Sequence, residues 1–269
     1  MTVRSSLVTG SAVLALVAGS AGIAAAPAPA IAATPEERAA SLVAQMSLDE
    51  KILQVHTSGD GSGGVPRLVP GIARLGIPDL RINNGPAGVG SGSVPNQPKA
   101  TALPAPVALS ATFDPSLAGQ YGVVQGRETG NVGHNLLEAP DVNIVRVPQS
   151  GRAFENYGED PYLAGQLAVA NINGIQSQGV MAEAKHAAVY NIENPAGTVV
   201  VDNRTLQELY LPAFQTAVTQ GATAAVMCAY SVVNSVPACQ NPALLNTPLY
   251  QQAGFGGFVT SDWGGTHST

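Results

Sequence analysis

Near its C-terminal end the chain carries the run VTSDWGG (259–265), which delivers a carboxylate, Asp262, out of a short apolar stretch. The surrounding GFGGFVTSDW is β-branched, aromatic and bounded by glycines, so it reads as a buried strand. In barrels of alternating strand and helix, chemistry sits at the C-terminal strand ends. A carboxylate there is suited to nucleophilic attack. Ser-Asp before Gly-Gly also suits a helix cap, but the company Asp262 keeps favours chemistry. The segment DVNIVRVPQSGRAFENYGEDPYLAG (141–165), a strand pattern followed by a loop, holds Arg146, Arg152, Glu155, Glu159 and Asp160. Arginine forks beside carboxylate acceptors suit a polyhydroxylated ligand, although Asp160 before Pro161 also reads as a helix start. In EAKHAAVYNIE (183–193), Lys185 and His186 stand at the end of another strand. Adjacent strand residues face opposite ways, so both reach one ligand only if the strand bends there. MCAYSVVN (227–234) places Tyr230 at a third strand end.

The elements that must position these groups alternate. Residues 34–56 read as a helix pair, with Thr34 capping the first and a Ser47–Glu50 capping box starting the second. Strand patterns fall near 80–83, 105–109, 142–147, 181–189, 223–230 and 257–261, and helical patterns over 114–129, 160–176, 204–220 and 242–252. Alternation of this kind implies a parallel sheet with crossovers. The expected fold class is α/β, a (β/α)8 TIM-type barrel incomplete at the C-terminus, because six strands are visible where eight would close it.

Composition narrows the function classes. The chain has 269 residues, 45% of them hydrophobic and 11% charged, with a net charge of −6. Nothing basic clusters, which argues against a nucleic-acid partner. At the N-terminus Arg4 precedes an apolar run (7–17) and a small-residue stretch with several A-x-A sites (21–33), the pattern of a secretory signal. The apolar run is shorter than the roughly 20 residues of a membrane span. The expected organisation is therefore a signal peptide over 1–33 and a catalytic barrel domain over 34–269, secreted, with no stable membrane association after signal removal. In an oxidising compartment Cys228 and Cys239 read as a disulfide closing a local loop, with two buried thiols as the alternative. No CxxC or Cys/His spacing suggests a metal, and no cofactor is expected. GDGSGG (59–64) has no strand before it and Pro66 after it, so it reads as a loop. His56, His134 and His267 are isolated, and Asn203-Arg204-Thr205 fits either a glycosylation sequon or a helix cap.

The segments RINNGPAGV (81–89), NIVRVPQSGRAFENYGEDPYL (143–163), KHAAVYNIE, DNRTLQELYLPAF (202–214), MCAYSVVNSVPAC and GFVTSDW resemble, in order and spacing, the N-terminal barrel of glycoside hydrolase family 3. The resemblance implies a retaining β-glycosidase, β-glucosidase-like, acting on β-glucosides or related oligosaccharides. It implies Asp262 as the nucleophile, with Asn84, Arg152, Lys185, His186 and Tyr230 around the sugar. Two positions depart from the family pattern. Asn84 stands where an aspartate is usual, replacing a charged acceptor by an amide, and Ala196 stands where many members carry an arginine. Retaining chemistry also needs a protonated carboxyl about 5 Å from the nucleophile. In the family this glutamate comes from a domain after the barrel, beyond the end of this chain, and Glu155, Glu159 and Glu193 look structural. The second expected class is thus a sugar-binding remnant without turnover.

Overall fold

Asp114-Pro115 and Asp160-Pro161 start two helices by one device in the computed structural model, which describes residues 33–57, 66–90, 99–193 and 197–266. Each aspartate caps through its side chain, accepting from Ser116 and Leu117 in one case and from Tyr162 and Leu163 in the other. The proline at the first helical position gives up an N–H that no helix could use. Residues 1–32 of the expected secretory segment, the run 59–64, Ala196 and His267 lie outside the described residues.

A first compact unit ends at Ala44, and its described part carries most of helix α1 (Pro35–Gln45), opened by a reciprocal Thr34–Glu37 cap. The second unit, Gln45–Thr269, begins with α2 (Leu48–Gln54) on the Ser47–Glu50 capping box. Strands β1 (Arg67–Val69) and β2 (Leu80–Asn84) follow, then α3 (Pro106–Ser110), α4 (Pro115–Asn131) and β3 (Leu136–Glu138). Next come α5 (Pro161–Gln176), β4 (Met181–Ala187), β5 (Thr198–Val199), α6 (Asn203–Thr205) and α7 (Pro212–Thr219). The last elements are β6 (Ala225–Cys228), β7 (Val232–Val233), β8 (Val236–Pro237) and β9 (Phe258–Ser261).

Among the described residues one curled sheet runs β1-β2-β3-β4-β6-β9, parallel throughout except for β1, and a small sheet joins β5, β7 and β8. Alternation along the strands divides the apolar residues. Leu137, Ala182, Ala184 and Val226 pack with the helices in the main core, whereas Ile82, Leu136 and Ala225, with Leu80 and Met181, form a separate cluster on the opposite, inner face.

Four sequence expectations need correction. Residues 105–109 form α3 rather than a strand, because Pro106 sits in the first helical turn and a short apolar run does not distinguish the two. The strand expected at 142–147 lies earlier, at Leu136–Glu138. Val142 instead hydrogen-bonds Lys185 and Val145 bonds Gly158, so the segment is extended but joins no ladder beyond two isolated bridges at Asp141, to Asn156 and to Lys185. The helices expected over 204–220 and 242–252 contain π-type turns, Leu206–Tyr210 and Asn246–Gln252, next to or around Pro212 and Pro248, which lack a donor for the regular i to i−4 ladder. Finally, β1 is antiparallel to its neighbour, so the sheet is not wholly parallel.

Candidate active site

Following the inner face toward the C-terminal strand ends, apolar residues give way to polar ones at two-residue steps. Ile82 is succeeded by Asn84, Leu136 by Glu138, Met181 by Glu183 and Lys185, and Phe258 by Thr260 and Asp262. The strands thus present an apolar floor, a buried charged layer above it, and a cavity of about 350 Å³ at their ends. Asn84, Arg152, Lys185, His186, Tyr230 and Asp262 all line that cavity, together with Glu138, Glu155, Glu193 and Trp263. Lys185 and His186 both reach it because the β4–β6 register slips between Ala184 and Ala187, the bend that adjacent residues require.

Asp262 is 4% exposed. Its backbone N–H donates to the Cys228 carbonyl (3.1 Å), which keeps the residue on the β6 side of β9. Oδ1 accepts from the Trp263 backbone N–H at 2.8 Å, while Oδ2 is buried without a hydrogen-bond partner and lies 3.7 Å from His186 Nε2. A buried carboxylate oxygen without a close donor is costly in a folded chain. The capping alternative is met only in part, since one backbone N–H is bound and no helix follows among the described residues. Tyr230 stands close enough that its phenol is raised well above its usual value, by burial first, then by the Asp262 charge and by the approach of its hydroxyl to that carboxylate.

His186 is fixed from behind. Its backbone N–H and its Nδ1 both lie within 3.0 Å of Asn143 Oδ1, and the Asn143 amide donates to the His186 carbonyl at 2.8 Å. Asp141 Oδ2 is 3.4 Å from Nδ1. Burial pushes the Asp141 carboxyl upward, but His186, then Arg152 and Lys185, outweigh it and hold the group below the ordinary carboxylate value. The Tyr190 ring packs against the imidazole at 4.7 Å between centroids.

Arg152 donates to Glu155 at 2.9 Å and to Glu193 at 3.1 Å. Glu193 also accepts from the Tyr190 hydroxyl at 2.5 Å. Burial would raise Glu193, yet that hydrogen bond and the Arg152 charge bring it below its ordinary value. An ionised, arginine-paired glutamate is a fixed acceptor rather than a proton donor. The remaining members of the arginine-rich loop lie elsewhere. Arg146 donates to the Tyr210 hydroxyl and sits over its ring, Asp160 caps α5, and Glu159 is not among the cavity's lining residues.

The charged layer below the cavity carries no motif in the sequence. Arg67 on β1 donates to Glu138 and to the Ser261 carbonyl (2.8 Å), and its guanidinium lies 5.8 Å from the Trp263 ring centre. Glu183 accepts from Thr260 at 2.5 Å, and its second oxygen is 3.8 Å from Arg67. Burial, then the Glu138 charge, push Glu183 up from 4.5 to about 7. Cys228 and Cys239 are joined by a disulfide. His134 is buried against Asn83, His56 contacts the Ile52 carbonyl, and Asp202 caps α6. Among the described residues no group of three or more His, Cys, Asp or Glu is placed to hold a metal ion, and no helix is long and apolar enough to cross a membrane.

A curled α/β sheet with a carboxylate and several polar and charged groups at its strand ends is the layout of a barrel enzyme that handles polar ligands. The family model for the glycosyl hydrolase family 3 N terminal domain matches residues 87–268, and the chain belongs to that family. A beta-glucosidase of Rhizobium radiobacter is 45% identical over 201 residues, 74% of this chain and 25% of the relative. Among solved structures, DesR, a beta-glucosidase from Streptomyces venezuelae in complex with D-glucose, superposes with a TM-score of 0.79 at 45% identity, covering 85% of this chain and 29% of its own. Beta-glucosidase 3B from Thermotoga neapolitana in complex with glucose gives 0.79 at 34% identity, covering 84% and 34%. The chain thus spans about a quarter to a third of the length of these relatives.

Proposed function

We propose that the protein is a secreted, retaining β-glucosidase-like glycosidase in which Asp262 is the nucleophile. The observation that carries this reading is the buried Asp262 carboxylate, whose Oδ2 lies 3.7 Å from His186 Nε2 and which lines one cavity with Arg152, Lys185, His186 and Tyr230. In the reaction, Oδ2 attacks the anomeric carbon as the glycosidic bond breaks. The leaving oxygen takes a proton from a general acid, and water then releases the sugar with retention. Asn84, Arg152, Lys185, His186 and Tyr230 hold the ring hydroxyls, and the contacts of Asn143, Asp141 and Tyr190 with His186 keep it in place. Glucose complexes of structurally similar beta-glucosidases support glucose as the sugar in this cavity. The sheet is read as part of a (β/α)8 barrel, residues 34–269 as its domain, and residues 1–33 as a secretory signal, on the charged, apolar and small-residue order at the N-terminus.

A second reading, sugar binding without turnover by this polypeptide, is favoured by one observation. The other described carboxylates of the cavity, Glu138, Glu155 and Glu193, are all paired with arginines, so none is poised as the acid. A slow fluorinated glycoside followed by peptide mass mapping tests the assignment, on this chain or on any longer form that contains it. Label on the VTSDW peptide is expected, and label on FENYGED overturns Asp262. Asp262→Asn keeps the shape and removes the charge, so turnover falls by roughly 10⁴- to 10⁶-fold, the scale seen when a covalent nucleophile is removed, while the fold persists.

A further inference from the structure

Glu138 ends a strand whose other members are Leu136 and Leu137, and it is 2% exposed. A carboxylate in such a place needs a partner, and Arg67 supplies one by donating to Oε1. A purely architectural ion pair tying β1 to β3 would have no reason to face the cavity, but Glu138 is one of its lining residues. It stands beside Asn84, its register partner on β2, which also lines the cavity and is uncharged. Glu183, the next carboxylate along the layer, is turned instead to Thr260 and is not among the residues that line this cavity. A carboxylate has about four lone-pair positions, so the bond from Arg67 orients Glu138 and leaves acceptor capacity toward the cavity.

Resting on the glycosidase reading above, the geometry points to Glu138 as a specificity-determining residue, the anionic acceptor for one sugar hydroxyl, with the Asn84 amide beside it. Strand β3 is separated from β9 by β4 and β6. At the usual interstrand spacing this is roughly 14 Å along the sheet and less across its curl. A pyranose whose C1 meets Asp262 therefore turns its opposite edge, the 3- or 4-hydroxyl, toward Glu138. The class of ligand favoured is a sugar with that edge unsubstituted, and a substituent there meets a buried charge.

The chain has a single tryptophan, Trp263, and it lines the cavity, so its fluorescence reports occupancy without any turnover. Glucose and its 2-, 3-, 4- and 6-deoxy analogues are titrated against the full chain and against Glu138→Gln. The expected result is a loss of glucose affinity of roughly 10- to 100-fold in the variant, the scale of a hydrogen bond to a charged group. That loss disappears with 3-deoxy- or 4-deoxyglucose. Unchanged glucose binding, an equal loss for every sugar, or a dependence confined to the 2- or 6-hydroxyl overturns the inference. If the variant loses its fold by near-UV circular dichroism, Glu138→Asp, which keeps the charge but withdraws it by one methylene, is read in the same way. Failure of the unsubstituted chain to bind any of the sugars instead sinks the glycosidase reading on which the inference stands.

Discussion

Glu183 is fully enclosed, with Thr260 on one oxygen, Arg67 beyond hydrogen-bonding reach of the other, and Glu138 and Lys185 close by. An unfolded glutamate loses its proton near 4.5, whereas burial and the Glu138 charge hold it on Glu183 up to about 7. Between those values the folded chain binds the extra proton. The contribution of this group to stability is therefore complete below about pH 4.5 and is lost as the pH rises through 7. The shift from 4.5 to about 7 corresponds to roughly 3 kcal/mol. Glu183→Gln, which stays neutral, should flatten the decline in urea-unfolding free energy between pH 5 and 8; equal slopes for both proteins would refute the account. The residues legible in the sequence were those in motifs, such as Asp262, Arg152 and the Lys185-His186 pair, whose types cluster at strand ends. Arg67 and Glu138 were not legible. Leu-Leu-Glu marks only a strand end, and the guanidinium that makes Glu138 tolerable comes from 71 residues away.

At the scale of elements, α4 and α5 pack through small residues that let the backbones meet. A Cβ added to Gly174 would lie 2.3 Å from the Gly119 carbonyl oxygen and 2.9 Å from the Val123 nitrogen, and one on Gly122 would lie 2.2 Å from the Asn171 carbonyl oxygen. Backbone atoms cannot give way as side chains do. A Cβ on Gly119 would meet nothing nearer than the Ala170 carbonyl oxygen at 3.7 Å, an ordinary contact. Gly174→Ala should thus cost about 1–3 kcal/mol through overpacking, while Gly119→Ala should be neutral or gain up to about 1 kcal/mol from helix propensity. Urea midpoints of the two variants decide, and a Gly174→Ala as stable as the parent would show that the helices separate freely. These helices were legible because sixteen or more residues of period and an Asp-Pro start agree. The short elements were not. Residues 105–109 carry too few periods to separate strand from helix. Residues 142–147 look like a strand, but their backbone is taken up by side chains and loops rather than a ladder.

At the scale of the whole second unit, the site depends on two sheets keeping register. The Cys228–Cys239 disulfide links the end of β6 to the segment that follows the small sheet of β5, β7 and β8. Cys228 is also the residue whose carbonyl receives the Asp262 N–H, and its sulfur neighbours the Thr260 carbonyl. The bridge therefore constrains both the unfolded loop and the strand end from which Asp262 projects. Closing an 11-residue separation is worth roughly 3 kcal/mol by loop entropy. Reduction with a phosphine, or the paired change Cys228→Ala with Cys239→Ala, should lower the urea-unfolding free energy by about 2–3 kcal/mol. It should also weaken glucose binding read at Trp263, because the strand end that presents Asp262 gains freedom. The two readouts separate the roles. A loss of stability with unchanged sugar affinity confines the bridge to the unfolded-state effect, whereas unchanged stability and unchanged affinity together show that the small sheet holds its place without it.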